Sequence, residues 1–287
     1  MELLSKWLGE YSLKSLDDYD RAVKEIIQQV CLLGLWRARF FERAAFYGGT
    51  ALRLLCGLDR FSEDIDFTLL VPDTSFQLSR YFLAIQTELD AFGLETEIRG
   101  KSKSADSAIE SAFIKANIRI HFLKIGVAQN LIRQIPSNKI LKVKFEVDVD
   151  PAVGVQSEIK LLLKPIAFSA RTVSSPDLFA GKMHALLYRR WLHRVKGRDW
   201  YDLVWFVEQD IPLRLKHLSR RMHQSGDLPV STTLDVPTFR NQIEEAIKTL
   251  NIEQARNDVR PFIEDQSRID QWSHSFFREI VSHIRFV

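Results

Sequence analysis

The sequence has little of what marks secreted, membrane-spanning or repetitive chains. It holds only two cysteines, Cys31 and Cys56, each inside an apolar run. Two such thiols do not make a disulfide framework, and neither stands in metal-ligand spacing; both read as buried thiols of a reducing compartment. No apolar run is long enough to span a bilayer. The N-terminal residues lack the basic stretch and long apolar core of a signal peptide. A soluble, cytoplasmic protein with no membrane partner is expected. Internal repeats and low-complexity tracts are missing as well. An excess of one charge is nearly missing: 40 Lys and Arg against 37 Asp and Glu leave a net +3. That balance permits an RNA partner without demanding one. With 46% apolar and 27% charged residues, a chain of 287 residues can bury one large core or two smaller ones.

What is present concentrates in one stretch, Gly48-Gly49-Thr50 followed by Arg60-Phe61-Ser62-Glu63-Asp64-Ile65-Asp66. Glycines let a backbone approach a phosphate, since no Cβ intervenes. Carboxylates at i and i+2 of a strand share a face and can hold a metal ion between them. Ala44 to Tyr47 reads as a strand ending at the glycines. Residues 50–55 read as a helix with Thr50 as its cap, ended by Gly57 and Asp59. Residues 64–69 alternate as a half-buried strand with Asp64, Asp66 and Thr68 on its polar face. A strand with an acidic solvent face would look the same; the glycine turn upstream favours the phosphate-and-metal reading.

Further elements follow from periodicity. A helix is expected over residues 17–41 and another over 75–92, with strands at 94–98, 113–123 and 159–163. Residues 101–107 read as a loop, either an active-site lid or an inert hairpin connection. Residues 142–150 alternate cleanly, with Val143, Phe145, Val147 and Val149 on one face and Lys142, Lys144, Glu146, Asp148 and Asp150 on the other. An amphipathic edge strand would read identically. From Ser174-Ser175-Pro176, with Ser175 as N-cap and Pro176 at the first helical position, the chain turns helical. Helices are expected over 176–191, 198–207, 213–222, 236–250, 252–263 and 266–284. The shift near residue 170 divides the chain into an α/β (α+β) core with a mixed sheet, residues 1–170, and a helical domain, residues 171–287. Asp199 and Asp202 share a helix face, and Arg198 with Asp202 reads as a plain i, i+4 pair. Two basic sets contain aromatic or imidazole neighbours: Arg189, Arg190, Arg194, Lys196 and Arg198 around Trp191 and His193, and Arg214, Lys216, Arg220 and Arg221 with His217. Such sets suit a nucleic-acid backbone, or are solvated helix faces.

The Gly-Gly stretch and the Arg60-x-Ser62-x-Asp64-x-Asp66 run resemble the DNA polymerase β-like nucleotidyltransferases, and among them the AbiEii/AbiGii-type toxins, the group that includes the mycobacterial MenT toxins. Two later segments are similar too: Lys144-Phe145-Glu146, and Lys182 with Arg198-Asp199-x-Tyr201-Asp202-Leu203. The resemblance implies a nucleotidyltransferase fold whose helical domain contributes to the active-site cleft. It implies that Asp64, Asp66 and Glu146 bind two Mg²⁺ ions, with Asp148 as the alternative third carboxylate. Gly48, Gly49, Thr50, Ser62 and Lys144 would bind the nucleotide. Lys182 and Asp199 would join the catalytic set, Lys182 as a point charge on phosphate and Asp199 orienting it or binding the sugar; Tyr201 reads as packing. The implied reaction moves a nucleoside monophosphate from an NTP to an acceptor, the tRNA 3′ end, in a toxin that blocks translation and has a cognate antitoxin. Two other readings stay open: the same chemistry on a small-molecule or protein hydroxyl, and a nucleotide- or RNA-binding module without catalysis.

Overall fold

The computed structural model describes residues 2–101, 108–117, 133, 135, 136, 138–152, 154–188, 195–229 and 231–287. The chain divides into two compact units. The first comprises Met1–Leu55, Ser62–Pro151 and Ile159–Thr172; the second comprises Cys56–Phe61, Ala152–Glu158 and Val173–Val287.

The first unit is built on a mixed seven-stranded sheet in the order β3-β4-β5-β2-β1-β7-β6. Its strands are β1 (Ala44–Tyr47), β2 (Ile65–Leu69), β3 (Thr96–Gly100), β4 (Ile109–Asn117), β5 (Ile140–Asp148), β6 (Ser157–Leu162) and β7 (Phe168–Val173); the terminal residues of β6 and β7 belong to the second unit. β2 runs antiparallel to β1 and parallel to β5, and β1 runs parallel to β7. Helices α1 (Glu2–Leu8), α2 (Leu16–Arg37), α3 (Gly48–Cys56) and α4 (Phe82–Ala91) accompany it. Phe46, Phe67 and Phe145 stand side by side on the buried face, ring centroids 5.2 and 5.1 Å apart. Successive strand residues point to opposite faces, so burying Phe67 and Phe145 turns Asp66 and Glu146 to the other side. α2 starts with a capping box, Ser15 and Asp18 each bonding the other's backbone, and buries Val23, Ile26, Ile27, Val30 and Leu33.

The second unit is helical: α5 (Ser175–Tyr188), α6 (Gly197–Glu208), α7 (Leu215–Ser225), α8 (Val236–Thr249), α9 (Ile252–Val259) and α10 (His274–Ser282). Stacked Phe179 and Phe206, 4.4 Å apart, and the Trp200–Phe277–Trp272 group fill its core. Among the described residues no helix is long and apolar enough to cross a membrane.

Several expectations change. α3 begins at Gly48 rather than Thr50, so Thr50 lies inside the helix and does not cap it. β7 appears where no strand was expected. α5 begins at Ser175, and the Ser174 carbonyl accepts the Asp177 and Leu178 N–H groups, one residue before the expected cap. The expected helix over 266–284 is broken into a 3₁₀ turn, Gln266–Ile269, and α10, which Ser273 caps. The loop at 102–107, the strand end at 118–123 and Arg189, Arg190, Trp191, His193 and Arg194 lie outside the described residues.

Candidate active site

In the first unit, β1 delivers the chain to Gly48 beside β2, where Tyr47 is the register partner of Asp66. Gly48 has φ +83, and a Cβ there would lie 2.5 Å from the Asp66 Oδ2. Only glycine fits: the backbone needs the left-handed region, and the Asp66 carboxylate already occupies the space a side chain would take. Buried Thr50, two residues on, donates its hydroxyl to the Asp64 carbonyl. That bond ties the start of α3 to the backbone that carries the aspartates. Ser62 is half-buried, and its carbonyl accepts from Gln28 Nε2 at 3.1 Å.

On the other side of Asp66 stands Glu146, its register partner across the parallel β2–β5 pair. Neighbouring strands lie about 4.8 Å apart, so carboxylates in register can reach a common ligand. Asp148 is level with Thr68 instead, and accepts the Asp150 N–H at 3.1 Å. Glu146 accepts from Lys144 at 2.7 Å and from Ser111 Oγ at 3.2 Å, Ser111 being its partner on β4. Asp64 sits just before β2 and is exposed. Hard carboxylate oxygens are the donors Mg²⁺ takes, so the residue types fit such an ion. Among the described residues, however, no three acidic, histidine or cysteine groups converge as a ready metal cage. The Lys144 ion pair and the Ser111 hydrogen bond already engage the Glu146 carboxylate.

In the second unit, Lys182 and Asp199 belong to a buried ion network whose centre is Asp202. Arg60 grips Asp202 with two parallel bonds, Nε to Oδ1 at 2.6 Å and Nη2 to Oδ2 at 2.7 Å. Lys182 Nζ lies 2.7 Å from Asp202 Oδ2 and 3.8 Å from Asp199 Oδ1. Arg60 is 2% exposed and Asp202 0%. Burial alone would raise the Asp202 carboxyl, but Arg60 and Lys182 outweigh it and hold the group below its ordinary value. Two cations and two anions close the network, as buried charge requires.

The sequence did not single out Asp202 for this role. Its expected partner, Arg198, lies instead 3.8 Å from Asp258 and stacks over Phe262. The signal was there: Asp202 sits in a helix turn whose neighbours Tyr201, Leu203 and Val204 are all buried, where a carboxylate needs a cation. The Arg60–Asp66 run is also divided, Arg60 falling in the second unit and Ser62 to Asp66 in the first. Tyr201 packs as expected, and its hydroxyl also donates to Asp59 at 2.9 Å.

Residues 30–278 match the family described as nucleotidyl transferase AbiEii toxin of type IV toxin–antitoxin systems, so the chain belongs to that family. No curated protein matches. Two solved structures from Helicobacter pylori are similar. JHP933 shares 15% identity over 91% of this chain and 95% of its own, with a TM-score of 0.45. A candidate nucleotidyltransferase shares 15% identity over 88% of this chain and 94% of its own, with a TM-score of 0.44. Likeness at that level adds nothing to the family assignment.

Proposed function

We propose that this chain transfers a nucleoside monophosphate from an NTP to an acceptor hydroxyl, the acceptor being the 3′ end of tRNA, and thereby blocks translation as the toxin of a toxin–antitoxin pair. The observation that carries the chemistry is the level placement of Asp66 and Glu146 on adjacent parallel strands, with the Asp66 carboxylate held against Gly48 at the strand-to-helix turn. In the reaction the acceptor oxygen bonds to the α-phosphorus, the bond from that phosphorus to the bridging oxygen breaks, pyrophosphate leaves and the acceptor proton is released. Asp64, Asp66 and Glu146 would hold Mg²⁺, which would supply Lewis acidity toward the acceptor hydroxyl and the leaving pyrophosphate. Gly48 and Gly49 let the triphosphate approach the backbone at the start of α3, where helix N–H groups suit an anion, and Ser62 stands close by in sequence to the aspartates. Lys144 orients the Glu146 carboxylate through their ion pair at 2.7 Å. The resemblance to the family pattern supports a part for Lys182 and Asp199 in the chemistry; within the second unit, Asp202, itself gripped by Arg60, holds the Lys182 ammonium. The tRNA acceptor and a cytoplasmic site of action rest on the family alone.

The test is to incubate the protein with each labelled NTP and Mg²⁺ in the presence of total RNA, total protein and small hydroxyl acceptors. Label in tRNA supports the reading. Label confined to protein or small molecules replaces the acceptor, and NTP binding without label anywhere favours a binding module.

A further inference from the structure

The second basic set of the sequence is not a solvated stripe. Of its members only Lys216 is exposed, and His217 is 3% exposed. α5 and α7 pack against each other, and i, i+4 pairs on both helices carry polar side chains: His184 and Tyr188 on α5, His217 and Arg221 on α7. The rings of His184 and Tyr188 are 5.5 Å apart. A helix pair ordinarily fills such positions with apolar groups.

Among the described residues, Tyr188 Oη, His217 Nδ1 and Arg221 Nε are buried with no hydrogen-bond partner; so are Asp177 Oδ1 and Arg214 Nε, which face each other as an ion pair. Each buried orphan costs about 1–3 kcal/mol unless something absent from the bare chain satisfies it. Two of the first three are obligate or ready donors, and His217 Nδ1 becomes a third in one tautomer. The surroundings are positive. Arg214, Arg220 and Arg221 all act on the His217 ring and, with burial as the larger cause, push its pKa down to about 3. Arg220 is pressed so closely over Gly154 that a Cβ there would fall 2.1 Å from its Nη1. Two acids share the region: Asp177 faces Arg214 at 3.1 Å, and Asp227 faces His184 at 3.3 Å. Among the described residues no carboxylate pairs with Arg221. Donors on two packed helices amid basic side chains suit an anion with several acceptor oxygens.

We propose that this α5–α7 face is a phosphate-binding site, in which Tyr188, His217 and Arg221 donate to a phosphate group and Arg214 and Arg220 supply the field. The phosphate is either free or carried on an RNA backbone. The site lies wholly within the second unit and does not depend on the nucleotidyl-transfer reading.

The experiment uses the full chain and isothermal titration with inorganic phosphate, chloride matching the ionic strength. Wild type should bind phosphate, with at least fivefold weaker binding in Tyr188→Phe, which removes one hydroxyl and keeps the ring. Arg221→Gln should lose binding, and Arg278→Gln on α10 should bind as wild type. A single-stranded RNA titrated with and without saturating phosphate identifies the source. Competition assigns the site to backbone phosphate, and undiminished RNA binding assigns it to free phosphate. No phosphate binding by wild type, or equal binding by Tyr188→Phe and Arg221→Gln, overturns the proposal.

Discussion

At the residue scale, Gly48 and Arg60 carry the most consequence for their size. Gly48 and Gly57 share a left-handed backbone, φ +83 and +82, but a Cβ at Gly57 meets open space while one at Gly48 meets the Asp66 carboxylate. Gly57→Ala should therefore cost only about 1 kcal/mol of backbone strain. Gly48→Ala should cost more, because it also displaces Asp66, and it should abolish nucleotidyl transfer; thermal melts and a label-transfer assay on both variants check this. Arg60→Ala leaves Asp202 buried against Lys182 alone. Breaking a buried pair costs about 3–5 kcal/mol, so the unfolding free energy from urea melts should fall by that amount and the midpoint should drop in proportion. An unchanged midpoint would remove Arg60 from the framework of the second unit.

At the element scale, what could be read from the sequence followed the strength of each period. α2, β2 and β5 have unbroken apolar spacing, and the structure places them close to where periodicity put them. Alternation put Asp66 and Glu146 on the polar faces of their strands, but only the family resemblance set Glu146 apart from an ordinary edge-strand acid; their level placement came from the β2–β5 register, which the sequence does not carry. β7 was not legible. Phe168-Ser-Ala-Arg-Thr-Val is short, has a small residue at a core position, and earns its place through tertiary context: parallel pairing with β1 and a Thr172 hydroxyl donated to the Phe46 carbonyl at 2.8 Å. The split of the Arg60–Asp66 run was equally hidden, because contiguity in sequence says nothing about which core a side chain joins. The break before α10 had a local signal that periodicity overrode: Ser273 Oγ accepts the Phe276 N–H at 3.1 Å. Ser273→Ala should lower stability by about 1 kcal/mol, measurable in chemical denaturation, with no effect on label transfer.

At the scale of the whole molecule, titration should make the fold acid-sensitive in two stages. His217 has a folded pKa of about 3 against 6.5 for the free ring. The folded state is thus not penalised above pH 6.5; below it the unfolded chain takes up a proton that the folded ring refuses. Stability falls by about 1.4 kcal/mol per pH unit from there toward 3, or about 2 kcal/mol by pH 5. Burial is the main cause, and Arg221, Arg220, Arg214 and His184 act on the ring in the same direction; the value of about 3 already includes them. Asp202 acts lower down. Its carboxyl is held below 3.8, so its contribution is complete above the unfolded value and lost as pH falls beneath it. Melting temperatures at pH 7.5, 6 and 5 should decline, and His217→Gln should flatten that slope. A slope unaltered by the substitution would place the acid sensitivity elsewhere.

The central claim is that the carboxylates beside Gly48 perform metal-dependent nucleotidyl transfer, and Asp66→Asn addresses it most directly. The substitution keeps the shape of the side chain over Gly48 and removes its charge. Wild type and variant are given labelled NTP, total RNA and Mg²⁺ or EDTA, and their melting temperatures are compared. The prediction is label in tRNA from wild type with Mg²⁺ only, and none from Asp66→Asn at an unchanged fold. Equal labelling by the variant, or labelling by wild type in EDTA, would contradict it.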